Sequence, residues 1–166
     1  NLWLTAMERY LASEIKVKSG TNLTLQKDFE QRLKEALNQY HNHNLTVVEI
    51  LEELFKMSQD FQERLALGKK LGLTKEELAF YEALSQNQSA KDLMGDEVLS
   101  KLAKEITGTL RKSVTIDWQY KEAVRAKMRI LVKRALQRYK YPPDQAEGAV
   151  EYVLKQAEEI ADELSA

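Results

Sequence analysis

The sequence predicts an all-α fold, a multi-helix bundle of about six to eight helices with no sheet. Strong helix formers (Leu, Glu, Lys, Ala and Gln) dominate the 166 residues, and the two prolines are adjacent. Apolar residues recur at spacings of three and four, which is the period of a helix with one buried face. A hydrophobic content of 43% is enough for a core. The length fits one packed domain or two small subdomains.

The N-terminal half is predicted to contain four helices. Thr46 and Glu49 have the spacing of a capping box, and so do Thr74 and Glu77, so helices should begin directly after both threonines. Glycines at 20, 68 and 72 indicate turns or bends between the periodic segments. The predicted spans are 3–17, 25–40, 46–67 and 75–84.

The C-terminal half is predicted to contain three more helices. A polar stretch at 85–89 is the best candidate for a boundary, which would divide the chain into an N-terminal part, 1–84, and a C-terminal part, 90–166. A helix should fill 96–110, and Asp117 looks like the N-cap of a basic helix that runs to Tyr139. The adjacent prolines 142 and 143 should end that helix and begin the last one.

The region of the basic helix carries a large excess of positive charge, whereas the rest of the chain is acidic. Eight Lys or Arg lie between Ile116 and Pro143, against two acidic residues. The whole chain has 25 basic and 26 acidic residues, so the remainder has 17 and 24. Such a polarised surface is typical of proteins that bind charged partners.

Two rows of cations are predicted to flank the buried stripe of the basic helix. Lys121, Arg125, Arg129 and Lys133 are spaced four apart, and a second row contains Lys127, Arg134 and Arg138. The rows could be a solvated face paired with glutamates, a phosphate-contacting surface, or a docking surface for an acidic protein. The partner-binding residues predicted for docking are Arg125, Lys127, Arg129, Lys133, Arg134, and Trp118 at the helix start. The predicted buried stripe is Tyr120, Val124, Met128, Leu131, Ala135 and Tyr139.

The sequence offers no catalytic motif. A phosphate-binding P-loop needs a glycine five residues before Gly68, and Glu63 stands there. The chain has no Cys, and His41 and His43 have no further ligands nearby in sequence for a zinc ion. We therefore predict no catalytic residue, no cofactor-binding residue and no metal ligand in these residues.

The chain is expected to be a piece of a longer protein. It starts with Asn1 and Leu2, without an initiator Met and without the pattern of a signal peptide. No apolar run approaches the roughly 18 residues that a membrane-spanning helix needs. We expect no contact with a membrane.

Several blocks of the sequence resemble one protein family. The segment 72–84, the segment 114–118, the pair 126–129 and 131–134, and 141–143 are similar to the C-terminal region of the R subunit of type I restriction enzymes. The segments 29–40 and 49–54 are similar to the helical region that precedes these blocks in the family. The resemblance covers nearly the whole chain and preserves the order of the blocks.

The resemblance implies a large parent protein. An R subunit is a cytoplasmic, ATP-dependent type I site-specific deoxyribonuclease with a nuclease domain, two DNA-translocase domains and a C-terminal helical domain. ATP and Mg are expected for the parent and no cofactor for this fragment. The implied partners are the modification (methyltransferase) and specificity subunits, other domains of the parent chain, and duplex DNA.

Three functional hypotheses follow. The leading one is a non-catalytic assembly domain that docks the translocase and endonuclease onto the methyltransferase core. The alternative is a helical module that contacts the DNA backbone and guides the translocated duplex; its weakness is a sequence pI near 6.2. The third is a bundle that packs against the motor within its own chain, which predicts exposed apolar patches.

Overall fold

The computed structural model describes residues 1–117 and 121–164, with the side chains of 114–117, 121, 144 and 145 excepted. Within these ranges the chain forms seven helices and no strand, which confirms the predicted all-α fold. No helix in this part of the chain is long and apolar enough to cross a membrane. The helices are α1 (Leu2–Ser19), α2 (Leu23–His41), α3 (Val47–Leu71), α4 (Lys75–Ser85), α5 (Gln88–Asp117), α6 (Lys121–Arg138) and α7 (Pro143–Leu164).

The first of two compact units consists of residues 1–20 and 24–67, that is, α1, α2 and most of α3. Each helix turns one apolar stripe inward, and Phe29 of α2 meets Phe61 of α3 edge to face, with ring centroids 5.0 Å apart. The guanidinium groups of Arg32 and Arg64 lie over the Phe29 ring. Side chains that are almost fully buried here include Leu11, Ile15, Leu25, Phe29, Ile50, Leu54, Met57 and Phe61.

Charged side chains on α2 and α3 join the two helices above this core. Arg32 pairs with Asp60 at 2.8 Å and with Glu53 at 3.2 Å, and Arg64 pairs with Asp28 at 3.2 Å. The pairs are partly exposed, so they fix the register of α2 and α3 more than they stabilise the unit.

The second unit consists of residues 21–23 and 68–166, so it contains α4 to α7. Helix α4 contacts α5 and α7, and α5 and α6 each contact α7. Phe80, Leu84, Leu102 and Val153 are among its fully buried side chains. These contacts make a four-helix arrangement around one apolar core.

The buried side chain of Gln156 holds the segment 21–23. Its Oε1 accepts a hydrogen bond from the backbone N–H of Leu23 at 2.9 Å. Its Nε2 donates to the carbonyl oxygen of Thr21 at 2.6 Å. Because Gln156 is fully buried, these backbone groups replace the water that its amide would otherwise need.

Most predicted helix boundaries are confirmed. The capping boxes at Thr46 and Thr74 both form, each with the reciprocal side-chain and backbone hydrogen bonds. Helix α7 begins at Pro143, as predicted. Helix α3 passes through Gly68 and stops before Gly72, where φ is +72° and a residue with a side chain would be strained.

One prediction about the following region was wrong and another was incomplete. The helix predicted at 96–110 begins where expected, directly after Gly95, where φ is 74° and ψ is 167°. It continues beyond residue 110, and α5 as a whole covers Gln88–Asp117. Asp117, predicted as the N-cap of the basic helix, is instead the last residue of α5. The basic helix α6 is described from Lys121, and the predicted helix start at Trp118 lies outside the described residues.

The two compact units also differ from the predicted parts 1–84 and 90–166. The polar stretch at 85–89 separates α4 from α5, but these two helices pack against each other within the second unit. Tyr81 of α4 donates a hydrogen bond to Asp96 of α5 at 2.5 Å. Burial and this carboxylate together raise the pKa of Tyr81.

The end of α4 depends on a tyrosine from the connection between α6 and α7. The carbonyl oxygen of Leu84, in the last turn of α4, accepts a hydrogen bond from the buried hydroxyl of Tyr141 at 2.8 Å. Carbonyl groups in a last helical turn have no partner within the helix, so a buried one needs an outside donor. Tyr141 is therefore a structural residue of the second unit.

Replacing Tyr141 with Phe should lower the free energy of unfolding by about 1 to 2 kcal/mol, because the Leu84 carbonyl group stays buried and loses its donor. Urea denaturation followed by circular dichroism measures this change. Tyr10→Phe is the matched control, since the Tyr10 side chain is exposed. Equal stability of the two variants would contradict the role assigned to the Tyr141 hydroxyl.

Candidate partner-binding surface

The basic helix α6 packs into the second unit through one apolar face. Val124, Met128 and Ala135 are buried as predicted. Val132 and Leu136 are also buried, whereas Leu131 and Tyr139 are partly exposed. The buried face is therefore rotated toward Val132 and Leu136, away from the predicted stripe. Tyr120 lies outside the described residues.

This rotation turns the first basic row toward α7. Arg125 pairs with Glu158, Arg129 pairs with Glu151, and Lys133 pairs with Glu147 at 3.1 Å. The order of the acids runs backwards along α7, as the antiparallel direction of the two helices requires. We call these three pairs the α6–α7 ladder.

The ladder is a surface feature with local electrostatic effects. Its arginines keep more than a third of their side-chain surface exposed, and Lys133 keeps about half. The hydrogen bond from Arg129 lowers the pKa of Glu151, and the same bond raises the pKa of Arg129. Arg125, Arg129 and Lys133 thus pair with glutamates, as the interpretation of a solvated face expects.

The residues of the second basic row differ in whether they form ion pairs. Arg138 pairs with Glu105 of α5. Lys127 and Arg134 are exposed and have no ion-pair partner among the described residues. Ile130 lies between them on the same face and is 53% exposed. We call Lys127, Ile130 and Arg134 the free face of α6.

A groove between α5 and α6 borders this free face. Its volume is about 610 Å³. Apolar side chains form much of its lining, and Arg134 and Arg138 contribute to it as well. The lining residues are Ile106, Thr109, Leu131, Val132, Arg134, Ala135, Gln137 and Arg138.

Three further residues entered the sequence-based predictions about sites: Trp118, His41 and His43. Trp118 lies outside the described residues, so its role at the helix start stays a prediction. His41 and His43 are exposed at the end of α2 and just after it. Among the described residues, no group of three or more His, Asp or Glu is placed to hold a metal ion.

Sequence reasoning missed the acidic partners on α7. These partners are Glu147, Glu151 and Glu158. Their spacing of four and seven places them on one face of α7, which was a usable signal. It could be used only with the knowledge that α6 and α7 are adjacent and antiparallel.

A family of C-terminal regions matches this chain almost from end to end. The matching family model is described as "Type I restriction enzyme HindI endonuclease subunit-like, C-terminal", and it aligns with residues 1–163. The chain belongs to this family. The resemblance to type I restriction enzymes found in the sequence is thereby confirmed.

Two relatives show how far the similarity extends. The chain is 89% identical, over 165 residues, to the type I restriction enzyme HindI endonuclease subunit of Haemophilus influenzae. It is 31% identical, over 137 residues, to a putative type I restriction enzyme MjaIXP endonuclease subunit of Methanocaldococcus jannaschii. These alignments cover 99% and 79% of the chain.

The chain is short beside both relatives, since it spans 16% of the Haemophilus protein and 13% of the Methanocaldococcus protein. No solved structure matches the chain. Family membership therefore relates this chain to the C-terminal regions of type I restriction endonuclease subunits.

The ladder predicts a specific dependence on pH. Because the folded state lowers the pKa of Glu151, the stability that this carboxylate contributes is present above its ordinary pKa of 4.5. That contribution should be lost as the pH falls through the lower pKa of the folded state. The free energy of unfolding of the wild type should therefore approach that of Glu151→Gln as the pH falls below 4.5.

Urea denaturation at several pH values tests this expectation. Glu159→Gln is the matched control, because Glu159 is on the same helix, exposed, and without an ion-pair partner among the described residues. A difference between wild type and Glu151→Gln that stays constant down to about pH 2 would contradict the pairing with Arg129.

Proposed function

We propose that this chain is a non-catalytic assembly domain that docks an endonuclease subunit onto the modification and specificity subunits of a type I restriction enzyme. Family membership supports this, because a type I restriction enzyme is an assembly of several subunits. The observation that carries the proposal is the free face of α6. It presents two exposed cations, Lys127 and Arg134, around an exposed Ile130.

The free face and its groove fit a protein partner in two respects. The apolar lining and Ile130 offer surface that gains from being covered, as the central part of a protein interface does. The cations at the edge favour an acidic rim on the partner, which would orient it and speed its association. Arg134 combines both properties because it lies at the groove and is exposed.

The ladder residues have a secondary place in this proposal. Exposed ion pairs contribute little to stability, so Arg125, Arg129 and Lys133 can exchange a glutamate of α7 for an acid of a partner at small cost. Lys127 and Arg134 need no such exchange. We therefore expect the free face to contribute more to binding than the ladder does.

A second candidate function is contact with the DNA backbone, as an expected activity of the wider enzyme is translocation of duplex DNA. The cations Lys127 and Arg134, which have no ion-pair partner among the described residues, favour this role. The acids of the ladder oppose it, because Glu147, Glu151 and Glu158 lie beside the basic row and would repel phosphate groups. The protein-docking function accounts for the free face with fewer opposing charges.

Lys127→Glu/Arg134→Glu should abolish or strongly weaken binding to the methyltransferase core, since it reverses both exposed cations of the free face. Co-elution of the full-length endonuclease subunit with the core on size-exclusion chromatography, without DNA, measures binding. The matched control is Lys91→Glu/Lys104→Glu, which reverses two exposed lysines of α5.

The outcomes separate the candidate functions. Loss of co-elution in the free-face variant and retention in the control would support docking through α6. Equal co-elution of both variants and the wild type would contradict it. Co-elution that requires DNA and declines steeply with salt would favour the DNA-contacting function instead.

The ladder provides a second test of the docking surface. Arg125→Gln/Arg129→Gln and Glu151→Gln/Glu158→Gln break the same two ion pairs from opposite sides. If the arginines also bind an acidic partner, the arginine variant should bind the core several-fold more weakly. The glutamate variant should bind at least as well as the wild type, because it frees both arginines.

Titration of the core with labelled full-length subunit gives the two dissociation constants. Thermal unfolding of each variant checks that breaking the pairs has similar effects on the fold. Equal weakening by both variants would show that the ladder acts through the position of α6, and would contradict direct binding by Arg125 and Arg129.

A further inference from the structure

Helix α1 has two apolar faces. Leu4, Leu11 and Ile15 form the face that is buried in the core of the first unit. A second set, spaced seven residues apart, is exposed: Trp3 is 78% exposed, Tyr10 is 52% exposed and Val17 is 72% exposed. We call Trp3, Tyr10 and Val17 the outer stripe of α1.

The three residues of the outer stripe lie along one side of α1. Residues seven apart lie almost directly above one another on a helix, so the stripe is about 21 Å long from Trp3 to Val17. Ala6 is exposed between the first two large side chains and leaves room for another chain to approach. Single exposed apolar residues are ordinary at protein surfaces, but an aligned series that includes two aromatic rings is typical of an interaction site.

The family match indicates what covers the stripe. The chain accounts for 16% of the length of its Haemophilus relative, and the matching family describes a C-terminal region. Most of such a subunit therefore precedes these residues. Trp3 lies within three residues of the point where that preceding polypeptide would join α1.

The covalent connection to α1 favours the preceding part of the polypeptide over a separate molecule as the occupant of the outer stripe. A segment joined directly to the start of α1 would meet the stripe at a high effective concentration, of the order of millimolar for a short connection. A second copy of the chain or another subunit would have to compete with it from solution. The seven-residue spacing also suits packing against a single helix laid along α1.

We propose that the outer stripe of α1 is the surface on which the preceding part of the same polypeptide packs in the full-length endonuclease subunit. This proposal does not depend on the docking role of α6, because it concerns a different unit of the chain and a different partner. It assigns to Trp3, Tyr10 and Val17 the task of orienting the C-terminal helices relative to the rest of the subunit.

Site-specific photo-crosslinking in the full-length subunit tests the proposal. A photoreactive phenylalanine analogue replaces Tyr10, and the same analogue replaces Phe55 as a matched control. Phe55 is a similarly exposed aromatic residue, at 58%, on α3 of the same unit. Irradiation, proteolysis and mass spectrometry then identify the residues that each probe reaches.

The probe at position 10 should crosslink within one polypeptide, to residues that precede α1, and the mass of the intact subunit on a denaturing gel should not double. Adding Trp3→Gln and Val17→Thr should reduce the yield of this crosslink several-fold, whereas the probe at position 55 should give little of it.

Other results would overturn the proposal. A crosslinked product of twice the subunit mass would assign the stripe to a second copy. A product with a modification or specificity subunit would assign it to the assembled enzyme. Solvent quenching at position 10, with no crosslinked product, would show that the stripe stays uncovered in the full-length protein.

Discussion

The pairing of α6 with α7 determines which charges of this chain remain available. Helix α6 has to bury Val132 and Leu136 as well as Val124 and Met128, and this requirement fixes its rotation about its own axis. The rotation brings Arg125, Arg129 and Lys133 opposite the acids of α7. It leaves Lys127 and Arg134 on the outside. Burial of apolar surface thus sets the electrostatic pattern, since it is the larger of the two effects.

The ion pairs between α6 and α7 reduce the charge asymmetry that the sequence predicts for the surface. The basic helix and its acidic surroundings neutralise each other over much of their shared surface, so the field outside the second unit is weaker than the sequence alone implies. What remains is a small cationic face beside an apolar groove. A surface of that kind discriminates by shape and by the position of a few charges, which suits a folded protein partner better than a uniform polyanion.

Local patterns in the sequence predicted most of the helices. Capping boxes and prolines act within a few residues, so Thr46, Thr74 and Pro143 identified helix starts correctly. The rotation of α6 depends on packing against helices that lie elsewhere in the sequence, and local periodicity does not contain that information. The pairing of the α7 acids with α6 was not predicted for the same reason. The sequence of one helix therefore identifies its cations, but it does not show which of them form ion pairs with acids of another helix.

The hydrogen bonds of Gln156 join two segments that lie far apart in the sequence. The backbone groups that they hold, at Thr21 and Leu23, come from the connection between the first two helices, whereas Gln156 itself is near the C-terminus. Neither compact unit is thus an uninterrupted stretch of sequence. A fragment that starts at residue 68 would bury the amide of Gln156 without its partners, and one that stops at residue 67 would expose the backbone of 21–23. A fragment that keeps both hydrogen bonds must therefore contain residues 21–23 together with Gln156.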